Sequence, residues 1–358
     1  MTGSLSFWAG KRVFLTGHTG FKGAWLTVWL HTLGAKLAGY ALPPEDDNAL
    51  YDSLKLSACF EQNTLADLAE LSTLKASVAN FAPDIVIHMA AQSLVRRSYR
   101  EPLSTIAANV TGTAHLLEAC RGVDSIKAAL VVTTDKCYQN LETGQAYKET
   151  DALGGRDIYS ASKAAAEIIT HAYRQSLFDS EKIRICTARA GNVIGAGDMA
   201  EDRLLPDAVR AFTQGEELLI RSPKALRPWQ HVVEPLSGYM MLAQAMFENK
   251  KPLSPAYNFG PEPSSVVPVE EVISRFAALW QPAGKWRVEV GQKQPHEAAL
   301  LALDSALARE ELGWKPHFTL EEALAHTAAG YRQLQAHDSD TLRAHMRGCM
   351  SHANEVLF

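Results

Sequence analysis

Short apolar runs alternate with longer segments of helical period through the first half of the chain. Residues 11–16 (Lys-Arg-Val-Phe-Leu-Thr) predict a buried strand, and residues 20–33 a helix with apolar positions at helical spacing. Residues 35–41 predict a second strand. Further strands are expected at 84–89 (Asp-Ile-Val-Ile-His-Met), 128–133 (Ala-Ala-Leu-Val-Val-Thr), 183–188 and, more briefly, 256–259. Helical patterns lie between them, most clearly over 102–120 and 159–175. Strands that alternate with helices imply an α/β fold, a parallel sheet with helices on both faces.

The pattern changes after about residue 195. Connections rich in Gly and Pro (Gly195-Ala-Gly197, Arg227-Pro-Trp229, Gly260-Pro-Glu-Pro263) break up shorter elements, and the chain from Asp304 onward reads as helical. A smaller C-terminal α/β domain, partly interwoven with the first, is therefore expected. Residues 1–190 with about 231–262 would form the nucleotide-binding domain, and 191–230 with 263–358 the substrate domain. The last residues carry His337, His345 and His352 without a regular metal-ligand spacing; they read as a frayed polar tail, and no metal site is expected.

With 358 residues and 47% hydrophobic content the chain can bury a large core. Its net charge is −5, with acidic and basic residues interspersed, so a nucleic-acid surface is not expected. Arg96, Arg97 and Arg100 form one short basic cluster, suited equally to a small phosphate or to a solvated surface. Five scattered cysteines without a Cys-x-x-Cys pair suggest a reduced, cytosolic protein. Residues 1–10 lack the apolar core of a signal peptide and no apolar run approaches a membrane span, so a soluble, cytoplasmic protein without membrane partners is expected.

The chemistry begins at Gly17-His18-Thr19-Gly20-Phe21-Lys22-Gly23, which follows a predicted strand and opens a predicted helix. In that context the first glycine permits a tight turn, the second lets backbone N–H groups approach a pyrophosphate, and the third allows close helix–sheet packing; the helix N-terminus favours the negative charge. A dinucleotide is the expected cofactor. About 20 residues on, Leu37-Ala-Gly-Tyr-Ala41 offers no acid for an adenosine ribose; Glu45, Asp46 and Asp47 come slightly late. No arginine stands there for a 2′-phosphate, although Lys36 is near. NAD is expected rather than NADP.

Thr134-Asp135-Lys136 and the pair Tyr159 and Lys163 supply a hydroxyl, an acid, an amine and a phenol. Tyr159 and Lys163 stand four apart on one helix face. A phenol of reference pKa about 10 is a poor base near neutrality, so it needs positive charge nearby, which Lys163 offers. Small residues around them let a cofactor or a partner helix come close.

These pieces together resemble the extended short-chain dehydrogenase/reductase family. The resemblance is carried by Thr16-Gly-His-Thr-Gly-Phe-Lys-Gly23, His88-Met-Ala-Ala-Gln92, Asn109-Val-Thr-Gly-Thr113, Thr134-Asp-Lys136 and Tyr159-x-x-x-Lys163. Longer pieces point, within it, to enzymes that dehydrate sugar nucleotides: Ser93-Leu-Val-Arg-Arg-Ser-Tyr99, Ala188-Arg-Ala-Gly-Asn-Val-Ile-Gly195, Ala200-Glu-Asp-Arg-Leu-Leu-Pro206, Arg227-Pro-Trp-Gln-His-Val232, His296-Glu-Ala298 and Leu312-Gly-Trp-Lys-Pro316. It covers nearly the whole chain. It implies a doubly wound, Rossmann-type sheet, bound NAD, and a nucleotide-sugar substrate, CDP-glucose.

It also implies roles. Tyr159 would take the proton from O4 of the glucosyl group, Thr134 would hydrogen-bond O4, and Lys163 would hold the cofactor ribose. Asp135 would protonate the departing O6. Lys136 stands where many sugar-nucleotide dehydratases carry glutamate as the C5 base. A lysine neutralised by burial could take that role, which is the reading favoured here, or it could stabilise the enolate as a charge. Asp67 and Leu68 resemble an adenine-contacting pair, and Ala90 and Ala91 would line the dinucleotide. Ser93, Asn192, Arg203 and Arg227 are candidates for the sugar diphosphate, Arg227 because a bend at Pro228 would face the cleft. His296 and Glu297 suit a substrate loop. His88, Cys137, Trp8, Trp25 and Trp29 read as packing residues.

Three activities fit to different degrees. A hydro-lyase needs all five residues. A sugar-nucleotide 4-epimerase needs Tyr159 and Lys163 but not the Asp135-Lys136 pair, and a dinucleotide-sensing scaffold needs neither. The resemblance implies a homodimer, or a dimer of dimers, built on the Tyr159 helix and the helix before it.

Overall fold

The structure, a computed structural model, describes residues 5–45, 50–141, 144–249, 252–289 and 301–357. Its chain enters the sheet with β1 (Arg12–Thr16), turns at Gly17, and runs through α1 (Phe21–Thr32) to β2 (Lys36–Ala41). A short α2 (Leu50–Ser53) leads to β3 (Gln62–Leu65), α3 (Leu71–Phe81) and β4 (Ile85–His88). Next come α4 (Val95–Arg100), α5 (Pro102–Ile106) and α6 (Gly112–Cys120), then β5 (Ala128–Val132), α7 (Ile158–Ser176) and β6 (Arg184–Ala190). The second half comprises β7 (Asn192–Ile194), α8 (Leu204–Thr213), β8 (Glu217–Ile220), β9 (Leu226–His231), α9 (Val233–Glu248) and β10 (Ala256–Phe259). It closes with β11 (Val266–Pro268), α10 (Val269–Leu279), β12 (Lys285–Val288), α11 (Ala306–Leu312), α12 (Leu320–Gln335) and α13 (Ser339–Leu357).

Seven strands form one sheet in the order β10-β6-β5-β4-β1-β2-β3, every neighbouring pair parallel. The order reverses beside β1, so the carboxyl ends of β1 and β4 open a crevice at the glycine turn. Side-chain alternation along β1 explains the two cores. Val13 and Leu15 pack with Trp8, Trp25 and Trp29 of one layer, while Phe14 packs with Tyr40, Val78, Phe81 and Leu116 of the other. Helix α1 is buried from Gly23 to Leu30, and it lies between the sheet and the terminal helix α13. The smaller sheets, β11-β9-β7 and β12-β8, stand beyond the crevice and form its far wall.

Several sequence expectations are corrected. The helix expected over 102–120 is divided: a π turn at Ala107–Thr111 separates α5 from α6. The turn puts Asn109 to use, since its side chain bonds Gln92 and Ser162. Arg227-Pro-Trp229 is not a bend but part of β9, where Pro228 pairs with Val266 of β11. The tail is not frayed: Leu342, Met346, Cys349, Met350 and Ala353 bury one face of α13. Strand β3, whose Gln-Asn-Thr-Leu sequence has no apolar run, lies at the sheet edge.

Candidate active site

Gly17 adopts φ +74°, and a Cβ on it would stand 2.6 Å from the backbone nitrogen of Ala90. The turn after β1 thus lies directly against the chain leaving β4. A Cβ on Gly23 would meet the Gly17 carbonyl oxygen at 2.1 Å, so the first turn of α1 also closes onto the loop. No side chain caps α1, whose N-terminus opens on the crevice. Thr16 fixes the β4 side: its hydroxyl accepts from the N–H groups of Met89 and Ala90, both at 3.2 Å, and bonds His88 Nδ1 at 2.6 Å. Thr113 donates to the Asn109 carbonyl and takes the other side of the ring at 3.1 Å, which places the His88 proton on Nε2. His88 is therefore more than filler. It ties β1, β4 and α6 together, and burial, helped by the Lys163 charge, lowers its pKa to about 3.

Thr19, Gly20, Phe21, Lys22, Gly23, Asp67, Leu68, Ala90 and Ala91 line the crevice, as expected. The His18 side chain does not. It is buried under Gly39, bonds Asn63 at 2.8 Å, and has its pKa lowered to about 4 by burial. Lys36 begins β2 at the end away from the crevice and pairs with Glu61 at 3.5 Å, which removes it as a 2′-phosphate ligand. Glu45 lines the crevice and pairs with Arg97 at 2.9 Å, while Asp46 and Asp47 lie outside the described residues.

Thr134 leaves β5 in extended conformation and its hydroxyl accepts from the Lys136 N–H, opening the short turn Asp135–Cys137. Asp135 is almost fully buried. Its Oδ1 accepts from the Thr134 hydroxyl at 2.9 Å and from Lys136 Nζ at 3.1 Å, while Oδ2 has no protein partner. Gly191 makes room for that carboxylate, since a Cβ there would come within 3.1 Å of Oδ2. Tyr159 and Lys163 emerge from the first turns of α7, capped by Asp157, whose carboxylate accepts from the Ser160 N–H at 2.9 Å. Ser98 on α4 accepts from the Tyr159 N–H at 3.2 Å, fixing the start of α7 against α4.

Burial pushes the Tyr159 phenol up to about 12, against a lowering hydrogen bond with Thr134 and a lowering charge on Arg203. Lys163 is lowered to about 8 by burial, with Glu167 acting the other way, and its Nζ reaches the Val132 carbonyl at 3.4 Å. Lys22 joins the same electrostatic group. Burial, Arg203 and Lys163 lower it to about 7, and its Nζ lies 3.4 Å from the Tyr239 hydroxyl. Lys22, Lys163 and Arg203 thus converge near Asp135 and Asp198, a basic group suited to anionic ligands.

Behind this group lies a buried pair that sequence reading passed over. Arg189 on β6 donates to Glu167 on α7 at 2.9 and 2.8 Å, and Glu167 also accepts from Thr133 and Thr187. Arg189 further donates to the Tyr138 hydroxyl at 2.7 Å. The pair locks the helix bearing Lys163 to β6, and the Thr133 bond to Glu167 ties the same helix to the chain leaving β5 toward Thr134. Its only sequence signal was an Arg inside a strand and a Glu four residues after Lys163.

Ser93 after β4, and Asn192, Arg203 and Arg227 opposite it, line one cavity of about 1110 Å³ together with the glycine loop and Thr134, Lys136, Tyr159 and Lys163. Arg203 donates to Ser93 at 2.9 Å and to Asp198 at 2.7 Å, and the Tyr331 hydroxyl holds the Asp198 carbonyl at 2.6 Å. Arg227 is directed by the β9 strand rather than by a turn. Of the basic cluster, Arg96 lies 3.7 Å from Asp202, Arg97 pairs with Glu45 and Glu101, and Arg100 pairs with Glu201 on the surface. His296 and Glu297 lie outside the described residues.

The glycine cradle and the uncapped helix fit a dinucleotide pyrophosphate, and the remaining cavity leaves space for a second nucleotide. The cavity brings an oxidising Tyr/Lys constellation within reach of an acid and an amine, so it can move protons at more than one carbon of one substrate.

Comparisons with known proteins agree with this geometry. The family described as GDP-mannose 4,6 dehydratase matches residues 14–327. A CDP-glucose 4,6-dehydratase from Salmonella typhimurium is 44% identical over 324 residues, covering 89% of this chain and 90% of that protein. A dTDP-glucose 4,6-dehydratase from Neisseria gonorrhoeae is 29% identical, covering 76% of this chain and 80% of the relative. Among solved structures, dTDP-glucose 4,6-dehydratase from Bacillus anthracis in complex with NAD superposes with a TM-score of 0.75 at 20% identity, covering 92% of this chain and 98% of that one.

Proposed function

The chain belongs to the GDP-mannose 4,6-dehydratase family, and from that premise we propose that it is an NAD-dependent hydro-lyase converting CDP-glucose to CDP-4-dehydro-6-deoxyglucose. The observation that carries this reading is the Asp135–Lys136 ion pair, whose Lys136 lines one cavity with Thr134, Tyr159 and Lys163. The similarity to the Salmonella enzyme along 89% of the chain supports the substrate and its base.

NAD, when bound, would supply a hydride acceptor and donor, so that the overall reaction would be redox-neutral. The glycine loop, Asp67, Leu68, Ala90 and Ala91 hold the dinucleotide, and Lys163 its nicotinamide ribose. Tyr159 takes the O4 proton while Thr134 hydrogen-bonds O4. The Thr134 hydrogen bond and the Arg203 charge favour the phenolate that this step requires, against the burial that raises the phenol. The 4-ketone acidifies C5–H, Lys136 removes that proton, and Asp135 delivers one to the leaving O6. The resting ion pair, a carboxylate and an ammonium, holds the right number of protons for this task. Passing one proton from Lys136 to Asp135 yields the neutral amine and the carboxylic acid without changing the charge of the cavity. Asp135 Oδ2, buried and without a protein partner, is the oxygen left to face O6.

Ser93, Arg203, Asn192 and Arg227 hold the sugar diphosphate. Residues 1–190 with about 231–262 then carry the cofactor and the reacting groups, and the rest of the chain supplies further substrate contacts. The chain acts as a homodimer in the cytoplasm; among the described residues no helix is long and apolar enough to cross a membrane.

Incubation with the CDP-, dTDP-, GDP- and UDP-glucoses followed by mass analysis tests the reading. Loss of one water, fastest from CDP-glucose, is expected. An isobaric product would make the protein an epimerase, and preference for another base would overturn the substrate.

A further inference from the structure

Away from the cavity, α12 and α13 bring two imidazoles and a thiol together. His345 and Cys349 stand one helical turn apart on α13, and His326 faces them from α12; one ligand-capable atom of each lies within 4.8 Å of the other two. The Cys349 Sγ to His345 Nε2 separation is 3.8 Å. A tetrahedral ion with Zn–N and Zn–S bonds of about 2.0 and 2.3 Å sets such ligands roughly 3.5 Å apart. Cys349 is buried while both histidines are partly exposed, so an ion reaches the sulfur past the imidazoles.

Aromatic packing accounts for part of this arrangement: His326 lies 5.0 Å from the Phe318 ring and His352 stacks on that ring at 4.8 Å. It does not account for a thiol converging with two ring nitrogens.

We propose that His326, His345 and Cys349 form a binding site for a thiophilic divalent cation, zinc(II), that cross-links α12 to α13, with water in the fourth position. Two nitrogens and a sulfur select zinc over magnesium or calcium, which prefer oxygen. As the Zn–S bond forms, the Cys349 S–H bond breaks and one proton leaves to solvent. His345 Nε2 gives up its 3.0 Å hydrogen bond to the His326 carbonyl, and the ring proton moves to Nδ1. The ion fastens a helix that also packs on α1 and α9, so it stabilises the junction of the terminal helices with the sheet layer.

The test uses the full chain, stripped by chelator and titrated with cobalt(II) and then zinc(II). One cobalt per chain is expected, with a thiolate-to-cobalt charge-transfer band that zinc abolishes. Cys349→Ser should remove the band, and His326→Gln should weaken zinc binding tenfold or more, both without change in the rate of CDP-glucose dehydration. A cobalt complex without the thiolate band overturns the proposal. So does unchanged zinc affinity in His326→Gln, whose partly exposed position makes it the safer variant should Cys349→Ser fail to fold.

Discussion

Lys136 Nζ and Asp135 Oδ1 lie 3.1 Å apart, and the other oxygen of the same carboxylate is buried without a partner. Lys136 lines the cavity and Asp135 lies buried behind that lining, so a carboxylate and an amine stand paired at the cavity's edge.

If Lys136 takes the C5 proton, Lys136→Met should lower kcat by about 100-fold or more and stop solvent deuterium from entering C5 of the product. Asp135→Asn should lower kcat similarly and slow C5 exchange as well, because it removes both the acid for O6 and the group that takes the Lys136 proton. Normal deuterium entry in Lys136→Met, read by mass spectrometry, would sink the base assignment.

Tyr159→Phe should reduce turnover by about 10²–10⁴-fold, since it removes the group that takes the O4 proton. Binding of NAD and CDP-glucose, followed by calorimetry, should change little. A variant that turned over at the parent rate would move the proton acceptor elsewhere.

Glu167→Gln leaves the buried Arg189 guanidinium without its counter-charge. The expected loss of stability is about 3–5 kcal/mol, measured by urea unfolding. Because the Glu167 charge raises the Lys163 pKa, its removal should also lower that pKa further. A loss below about 1 kcal/mol, the scale of a surface pair, would show that the network does not hold α7.

Acid should destabilise the fold through three buried imidazoles. In the folded chain His18 titrates near 4, and His88 and His231 near 3, chiefly because burial disfavours the charged ring. Unfolded imidazoles titrate near 6.5. Between those limits the unfolded chain binds more protons, so stability present above pH 6.5 falls as the pH drops toward 3. The slope approaches about 4 kcal/mol per pH unit for three protons. Unfolding free energies at pH 7, 6 and 5 should show it, and His231→Phe should remove about a third of the slope. A flat profile below pH 6.5 would contradict it.

The cavity was legible where chemistry follows local spacing. Gly17, Gly20 and Gly23 declare a turn and a helix start, and Tyr159 and Lys163 a shared helix face. Other residues were not legible. His18 stands inside the glycine motif, yet its ring turns into the core because Gly39 leaves a hollow beneath it. Pro228 suggests a bend but sits in a short sheet whose register places it opposite Val266. Strand β3 escaped the apolar pattern because it lies at the sheet edge with alternating exposure. The terminal helix was taken as polar because its buried residues are spread at helical spacing among charged ones.

What the sequence determined by itself was the alternation of strand and helix, the cofactor loop and the identity of the reacting groups, since each rests on residues near one another in the chain. Tertiary structure alone decided which groups meet. Asp135 gains its unpartnered oxygen from the gap at Gly191, Arg203 reaches Ser93 across 110 positions, and Glu167 meets Arg189 only when α7 packs on β6. Burial then separates their protonation behaviour, and burial is a property of the folded whole.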